Sequence, residues 1–231
     1  MTHTIEEIKG LDPATRAKMT ELGITTVEQV IDQAATPSKH TARYVQLFQQ
    51  SGGLPDDAAF LKMLVSDLVG RGVADPKRIY LAGRSLGGAM TLRVACVEAR
   101  MFAAIALLIS AMPEETGNDC HPAQPLPVLM VNVTGDPMVP YGGGRVGQAG
   151  LPSGVTDVWS TERLLAFFRK LNGCSDSPEP LSSSPMGDVH RGVKCPGGAV
   201  VFHRVVGEKH NVPPSLDTAQ LLIDFFRDKS R

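Results

Sequence analysis

Arg78-Ile79-Tyr80-Leu81-Ala82-Gly83-Arg84-Ser85-Leu86-Gly87-Gly88 decides how the rest of the chain is read. Ile79 to Ala82 is an apolar run of strand length. It breaks at Gly83-Arg84-Ser85-Leu86-Gly87, a G-x-S-x-G pattern. Ala89 to Glu98 then has helical spacing. A strand, a sharp turn with serine at its tip and a helix together form a nucleophile elbow. Such a turn is strained and crowded, so a Cβ at position 83 or 87 is expected to strike the neighbouring strand or helix. The turn also aims the N–H of Leu86 and the helix N-terminus at the place where an oxyanion would form.

A serine hydroxyl is a weak nucleophile. It needs a base within hydrogen-bond reach, and the base needs an orienting carboxylate. Asp136, in Gly135-Asp136-Pro137, follows the apolar run Pro127 to Val133. His210, in Gly207-Glu208-Lys209-His210, follows the weakly alternating run Ala199 to Val206. Each side chain would sit at the C-terminal edge of a sheet, in the order Ser, Asp, His. Taken singly, Asp136 reads as a turn former before proline and His210 as a solvated loop histidine; the order of the three favours a triad. His203 alternates within a strand and is expected to pack or face solvent. His121 and His190 fall in loops with no evident partner.

Outward from the elbow, Asp56 to Gly70 spaces Phe60, Leu61, Leu64 and Leu68 as a helix. Gly72 to Lys77 is a turn. Phe102 to Ile109 is almost wholly apolar, as in a strand buried on both faces. Ser110 to Gln124 reads as a polar loop containing Cys120, Val155 to Leu171 as an amphipathic helix with Trp159, and Gly173 to Gly198 as a surface loop. Ser215 to Asp228 closes the chain as a helix. From residue 56 the order is α-β-α-β-β-α-β-α, which implies an α/β fold with a mainly parallel sheet.

Residues 1–36 read as a separate helical module, with 37–55 as a linker and 56–231 as the α/β domain. Thr4-x-x-Glu7 and Thr25-x-x-Glu28 are capping-box patterns. Asp12-Pro13 suits a helix start and Gly23 a helix end. The module resembles a helix-hairpin-helix. Asp12 stands where such hairpins usually carry glycine, and a carboxylate there repels phosphate, so a packing or protein-contact role is favoured. Tyr44 to Phe48 fits either a strand or a helical turn.

The chain has 231 residues, 42% hydrophobic and 20% charged, with a net charge of −1. It has no basic block, which argues against nucleic acid or an anionic membrane as partner. No apolar run reaches transmembrane length. The N-terminus has neither a basic region nor an apolar core of signal-peptide kind. The four cysteines allow three pairings, and by count alone they read equally well as buried cytosolic thiols. No metal-binding or organic-cofactor motif stands out.

Residues 56–231, about three quarters of the chain, resemble the secreted polyhydroxybutyrate depolymerase and feruloyl esterase group of α/β-hydrolases. The likeness is carried by Asp56-Asp57-Ala58-Ala59-Phe60-Leu61, Asp75-Pro76-Lys77-Arg78, the elbow through Met90, and Phe102 to Ala106. It continues through Pro127-Val128-Leu129, Thr134 to Gly143, Phe168 to Cys174 and Gly207 to His210. The resemblance implies Ser85 as nucleophile, Asp136 as acid, His210 as base and Leu86 N–H as oxyanion donor. It also implies Cys174 paired with Cys195 and, on a weaker match, Cys96 with Cys120. An extracellular setting and an ester substrate, polyester or plant-wall, follow from it, with no cofactor. Two departures stand out. Asn132-Val133 replaces a usual His-Gly, and residues 1–78 contain no His-Gly loop for a second oxyanion donor and too few strands for a full sheet. The expectation is therefore a weak serine esterase, a fragment, a fusion or a degenerate relative of the family fold, with an incomplete sheet prone to self-association. The competing expectation is a non-catalytic remnant that binds a partner through residues 1–36.

Overall fold

The computed structural model describes residues 57–146, 156–175, 179–184, 187–191, 195–207 and 209–231, together with Pro13, Ala17, Thr20 and Glu21. Apart from those four helical positions, the expected module over 1–36 and linker over 37–55 lie outside the described residues. The chain divides into two compact units, Met1–Pro76 and Lys77–Arg231.

In the first unit, α1 spans Asp57–Gly70, as its spacing predicts. It stops at Gly72, whose φ of 69° a side chain would resist. The N–H of Val73 reaches back 2.9 Å to the carbonyl of Leu68 and caps the last turn.

The second unit is a mainly parallel sheet with helices. It runs β1 (Tyr80–Arg84), α2 (Leu86–Glu98), β2 (Ala104–Leu108), α3 (Glu114–Asn118), β3 (Val128–Val133), β4 (Gly144–Val146) and β5 (Thr156–Val158). Next come α4 (Thr161–Leu171), β6 (Glu179–Ser184), β7 (Gly187–Arg191), β8 (Val200–Val205) and α5 (Thr218–Phe226). The six-stranded sheet has the order β1-β2-β3-β8-β7-β6, while β4 and β5 form a separate antiparallel pair. Strands β1, β2, β3 and β8 are parallel. Every residue of β2 and β3 is buried, which explains their unbroken apolar sequence. One sheet face, with Ala104, Ala106, Leu129 and Val201, packs on Phe225 of α5. Leu108, Val131 and Val205 extend it to Val212 and Leu216. Tyr80 stacks on Phe226 with ring centroids 4.7 Å apart, and its hydroxyl donates to the carbonyl of Lys229 at 2.7 Å. Among the described residues β1 pairs on one side only, with β2.

The structure corrects several readings. Residues 173–198 are not all surface loop: β6 and β7 form a hairpin that adds antiparallel to β8. An outer ladder is held by backbone groups, so Ser-rich sequence can build it, and Pro180 is tolerated because β6 is outermost. Gly187, at φ 142°, lies where a Cβ would overlap the carbonyl of Arg204. His190 consequently lies in a strand, opposite Phe202, and not in a loop. The helix expected from Val155 begins only at Thr161. Ser160 Oγ accepts the N–H of Arg163 at 3.1 Å and so sets the N-cap there. Residues 156–158 are strand, and Trp159 precedes the helix with its N–H on the Met112 carbonyl at 2.8 Å. The loop from Ser110 to Gln124 contains α3, packed so closely on Trp159 that a Cβ on Gly117 would overlap the indole.

Candidate active site

Ser85 ends β1 and opens α2 at φ 54° and ψ −122°, a backbone region that L-residues rarely occupy. The turn is held on both sides. The N–H of Ser85 donates to the Leu108 carbonyl at 2.9 Å, and the Ser85 carbonyl accepts from Gly88 at 2.9 Å and Ala89 at 3.2 Å. A Cβ on Gly83 would overlap the Gly87 carbonyl and Thr91 Oγ1, as the sequence predicts. Position 87 is different. A Cβ there meets nothing within 4 Å, and the crowded second position is Gly88, where a Cβ would overlap Ser110.

Asp136, past the end of β3, and His210, past the end of β8, meet Ser85 at the C-terminal edge of the sheet. Ser85 Oγ lies 2.8 Å from His210 Nε2, and His210 Nδ1 lies 2.7 Å from Asp136 Oδ2. A carboxylate only accepts, so Nδ1 carries the proton and Nε2 is left to receive the serine hydroxyl. The Asp136 side chain is 1% exposed and that of His210 14%. The buried carboxylate is fully engaged. Its Oδ1 accepts the N–H groups of Met138 at 2.8 Å and Val139 at 3.0 Å.

Leu86 and Gly87 open α2, so their N–H groups have no acceptor within the helix. Leu86 N–H follows directly on Ser85, and Leu86 is 69% exposed. Beside Ser85 is a cleft of about 140 Å³. Its walls are Ala89 of α2, Ala111 and Pro113 after β2, and Met138 and Val139 of the acid loop. Val146 and Val158 of the β4–β5 pair complete the apolar lining, and Ser110 joins Ser85 as its second hydroxyl residue. Among the described residues no charged side chain lines it.

Four polar residues outside Ser85, His210 and Asp136 are themselves held by hydrogen bonds. Arg84 donates to the His210 carbonyl at 3.3 Å and to Asn211 Oδ1 at 3.2 Å, tying the elbow to the loop of the base. Asn132 accepts the Ser110 N–H at 3.0 Å and donates to the Ser110 carbonyl at 3.0 Å and Thr161 Oγ1 at 2.8 Å. Asn172 does the same for Leu126, with bonds of 3.0 and 2.7 Å, and also reaches the Gly198 carbonyl. Tyr141 donates to Glu162 at 2.5 Å; burial, then Glu162, pushes its pKa well above the ordinary tyrosine range. The signal for Asn132 was present in the sequence, as a lone polar residue in a run buried on both faces. Arg84, an unspecified position of the elbow pattern, gave none.

Of the described histidines, neither His203 nor His121 lines the cleft. His203 lies in β8, where burial lowers its pKa from the ordinary 6.5. His121 is exposed. Cys96 is bonded to Cys120 and Cys174 to Cys195. Among the described residues no helix is long and apolar enough to cross a membrane.

No protein-family model matches the chain. It is 32% identical over 148 residues to feruloyl esterase B of Piromyces equi, covering 63% of this chain and 27% of that protein. It is 33% identical over 100 residues to NocK of Nocardia uniformis subsp. tsuyamanensis, an esterase by its name, covering 43% of this chain and 29% of that protein. The aligned parts thus span little more than a quarter of these relatives. Among solved structures, acetyl xylan esterase from Aspergillus awamori superposes with a TM-score of 0.50 at 13% identity. That match covers 73% of this chain and 67% of the other, and shows a shared α/β-hydrolase-like fold.

Proposed function

We infer that the site is that of a serine carboxylic ester hydrolase. The observation that carries this reading is the continuous Ser85–His210–Asp136 hydrogen-bond chain, with contacts of 2.8 and 2.7 Å. The sequence likeness to two esterase-named proteins supports the same reaction class. The cleft beside Ser85, with no charged side chain among its described lining residues, suits the acyl part of a neutral ester.

Ser85 Oγ attacks the ester carbonyl while His210 Nε2 takes its proton. Asp136 holds the Nδ1–H and stabilises the imidazolium that forms. The Leu86 N–H donates to the developing oxyanion at the positive end of α2. Collapse of the tetrahedral intermediate expels the alcohol, which takes the proton from His210. Water then gives a proton to His210 and attacks the acyl-serine, releasing the acid and restoring Ser85. The finer reading is an ester of the polyester or plant-wall kind. Weak turnover belongs to it as well, because losing one oxyanion donor of two lowers kcat by about 10²–10³. The two disulfides support an oxidising, extracellular setting.

The test is hydrolysis of p-nitrophenyl butyrate together with labelling by a fluorophosphonate. Wild-type protein should be labelled at Ser85, and Ser85→Ala should lose both label and turnover while keeping its thermal melt. Full turnover by Ser85→Ala would overturn the reading.

A further inference from the structure

Resting on the ester-hydrolase reading, one side chain in the cleft remains without a task. Ser110 lines the cleft beside Ser85 and is 1% exposed. Its Oγ is buried with no hydrogen-bond partner among the described residues. A buried hydroxyl left unsatisfied is costly, and native structures keep few of them. The surrounding residues give this hydroxyl its room. Ser110 touches Gly88, and any larger residue at 88 would overlap both Cβ and Oγ of Ser110.

The main chain of Ser110 is fixed with unusual thoroughness. Its N–H and its carbonyl both bond to the side-chain amide of Asn132, each at 3.0 Å. Asn132 is itself 3% exposed, and its remaining bond goes to Thr161 Oγ1. Just before it, Ile109 holds φ 43°, an outlier for a β-branched residue, with its N–H on the Val131 carbonyl at 2.7 Å. The Asn132 amide therefore stands in for a strand neighbour where the β2 ladder has ended. The backbone is pinned, and the hydroxyl alone can turn about the Cα–Cβ bond.

We propose that Ser110 is a specificity-determining residue whose hydroxyl turns into the cleft to hydrogen-bond an oxygen carried by the acyl group, so that the site favours oxygen-bearing acyl groups over plain alkyl ones. Among the described residues the rest of the cleft lining is apolar apart from Ser85. An acyl oxygen placed against those apolar side chains loses its water and regains a partner at Ser110. A plain alkyl acyl group leaves the hydroxyl unpaired, as it is at rest. A site that hydrogen-bonds its ligand discriminates strongly against an analogue lacking the group.

The experiment uses matched p-nitrophenyl esters that differ by one ether oxygen in place of a methylene: methoxyacetate against butyrate, and 3-methoxypropanoate against pentanoate. Comparing Ser110→Ala with wild type cancels the intrinsic reactivity of each ester. For at least one pair, Ser110→Ala should lower kcat/KM on the ether ester about tenfold more than on its alkyl match. Removing the unpaired hydroxyl should also leave the melting temperature equal or higher. Equal effects on both members of both pairs, with an active wild type, would overturn the proposal while leaving the hydrolase reading intact. A clear fall in melting temperature would also overturn it, because the resting hydroxyl would then have a partner. A wild type inert to all four esters, and unlabelled at Ser85, would overturn the parent reading and this inference together.

Discussion

Arg84 and His210 are joined across the site: the guanidinium donates to the His210 carbonyl at 3.3 Å, and to the neighbouring Asn211 Oδ1 at 3.2 Å. The elbow thus holds the loop that carries His210. The contact is exposed, so its weight in stability is small, but a small shift of the imidazole is costly to a nucleophile–base pair. Arg84→Ala should lower kcat roughly three- to tenfold, as expected from one or two modest hydrogen bonds. KM and the thermal melt should change little. A variant with unaltered kcat would show that the loop is held without Arg84.

The glycines of the elbow are unequal. Position 83 faces the Gly87 carbonyl and Thr91, position 88 faces Ser110, and position 87 faces open space. Gly83→Ala should therefore destabilise the protein by about 1–3 kcal/mol, the usual range for overpacking. Gly87→Ala should cost little in stability, because no protein atom opposes it and alanine suits a helix better. Denaturant unfolding of the two variants decides this. Equal losses would mean that position 87 is also constrained.

The elbow was legible because its strand, turn and helix are local and leave period and composition marks. The placement of Asp136 and His210 beside Ser85 was legible through the strands before them, since strand ends fix where such side chains gather. The β6–β7 hairpin was hidden because its pairing draws on backbone groups and its side chains are mostly Ser, Pro and charged residues. Trp159 was misread as helical because no glycine or proline separates it from the apolar positions Leu164 and Phe168, and the Ser160 cap that divides them is a single residue. Ser110 was hidden for a different reason. Burial of one hydroxyl against Gly88 is set by Gly88 in α2, Ser110 beyond the end of β2 and Asn132 in β3, 22 positions after Ser110, which no local pattern encodes.

His203 offers a test of pH dependence. Burial lowers its pKa from 6.5, so the unfolded chain binds the proton more tightly than the folded one. Its contribution is present in full above pH 6.5 and is lost as the pH falls from there through the lowered folded value. Unfolding free energy should decline as the pH falls below 6.5 in the wild type, and less steeply in His203→Gln. Parallel pH profiles for the two proteins would count against a buried neutral imidazole.

The two disulfides should separate stability from substrate binding. Cys96–Cys120 closes 24 residues and Cys174–Cys195 closes 21, so chain entropy assigns each about 3 kcal/mol. Their surroundings differ. Cys96 lies in α2, the helix that begins at the nucleophile, and Cys120 ends the segment that contributes Ser110, Ala111 and Pro113 to the cleft. Cys174 and Cys195 flank the β6–β7 hairpin, and neither lines the cleft. Replacing either pair by alanine should lower stability by a similar amount, about 2–4 kcal/mol. The Cys96/Cys120 double variant should also raise KM several-fold, because the cleft wall loses its anchor to α2. The Cys174/Cys195 double variant should keep its KM. Urea unfolding and steady-state kinetics on the same preparations provide both readouts. A raised KM in the second variant, or an unchanged KM in the first, would show that the cleft wall is braced from elsewhere.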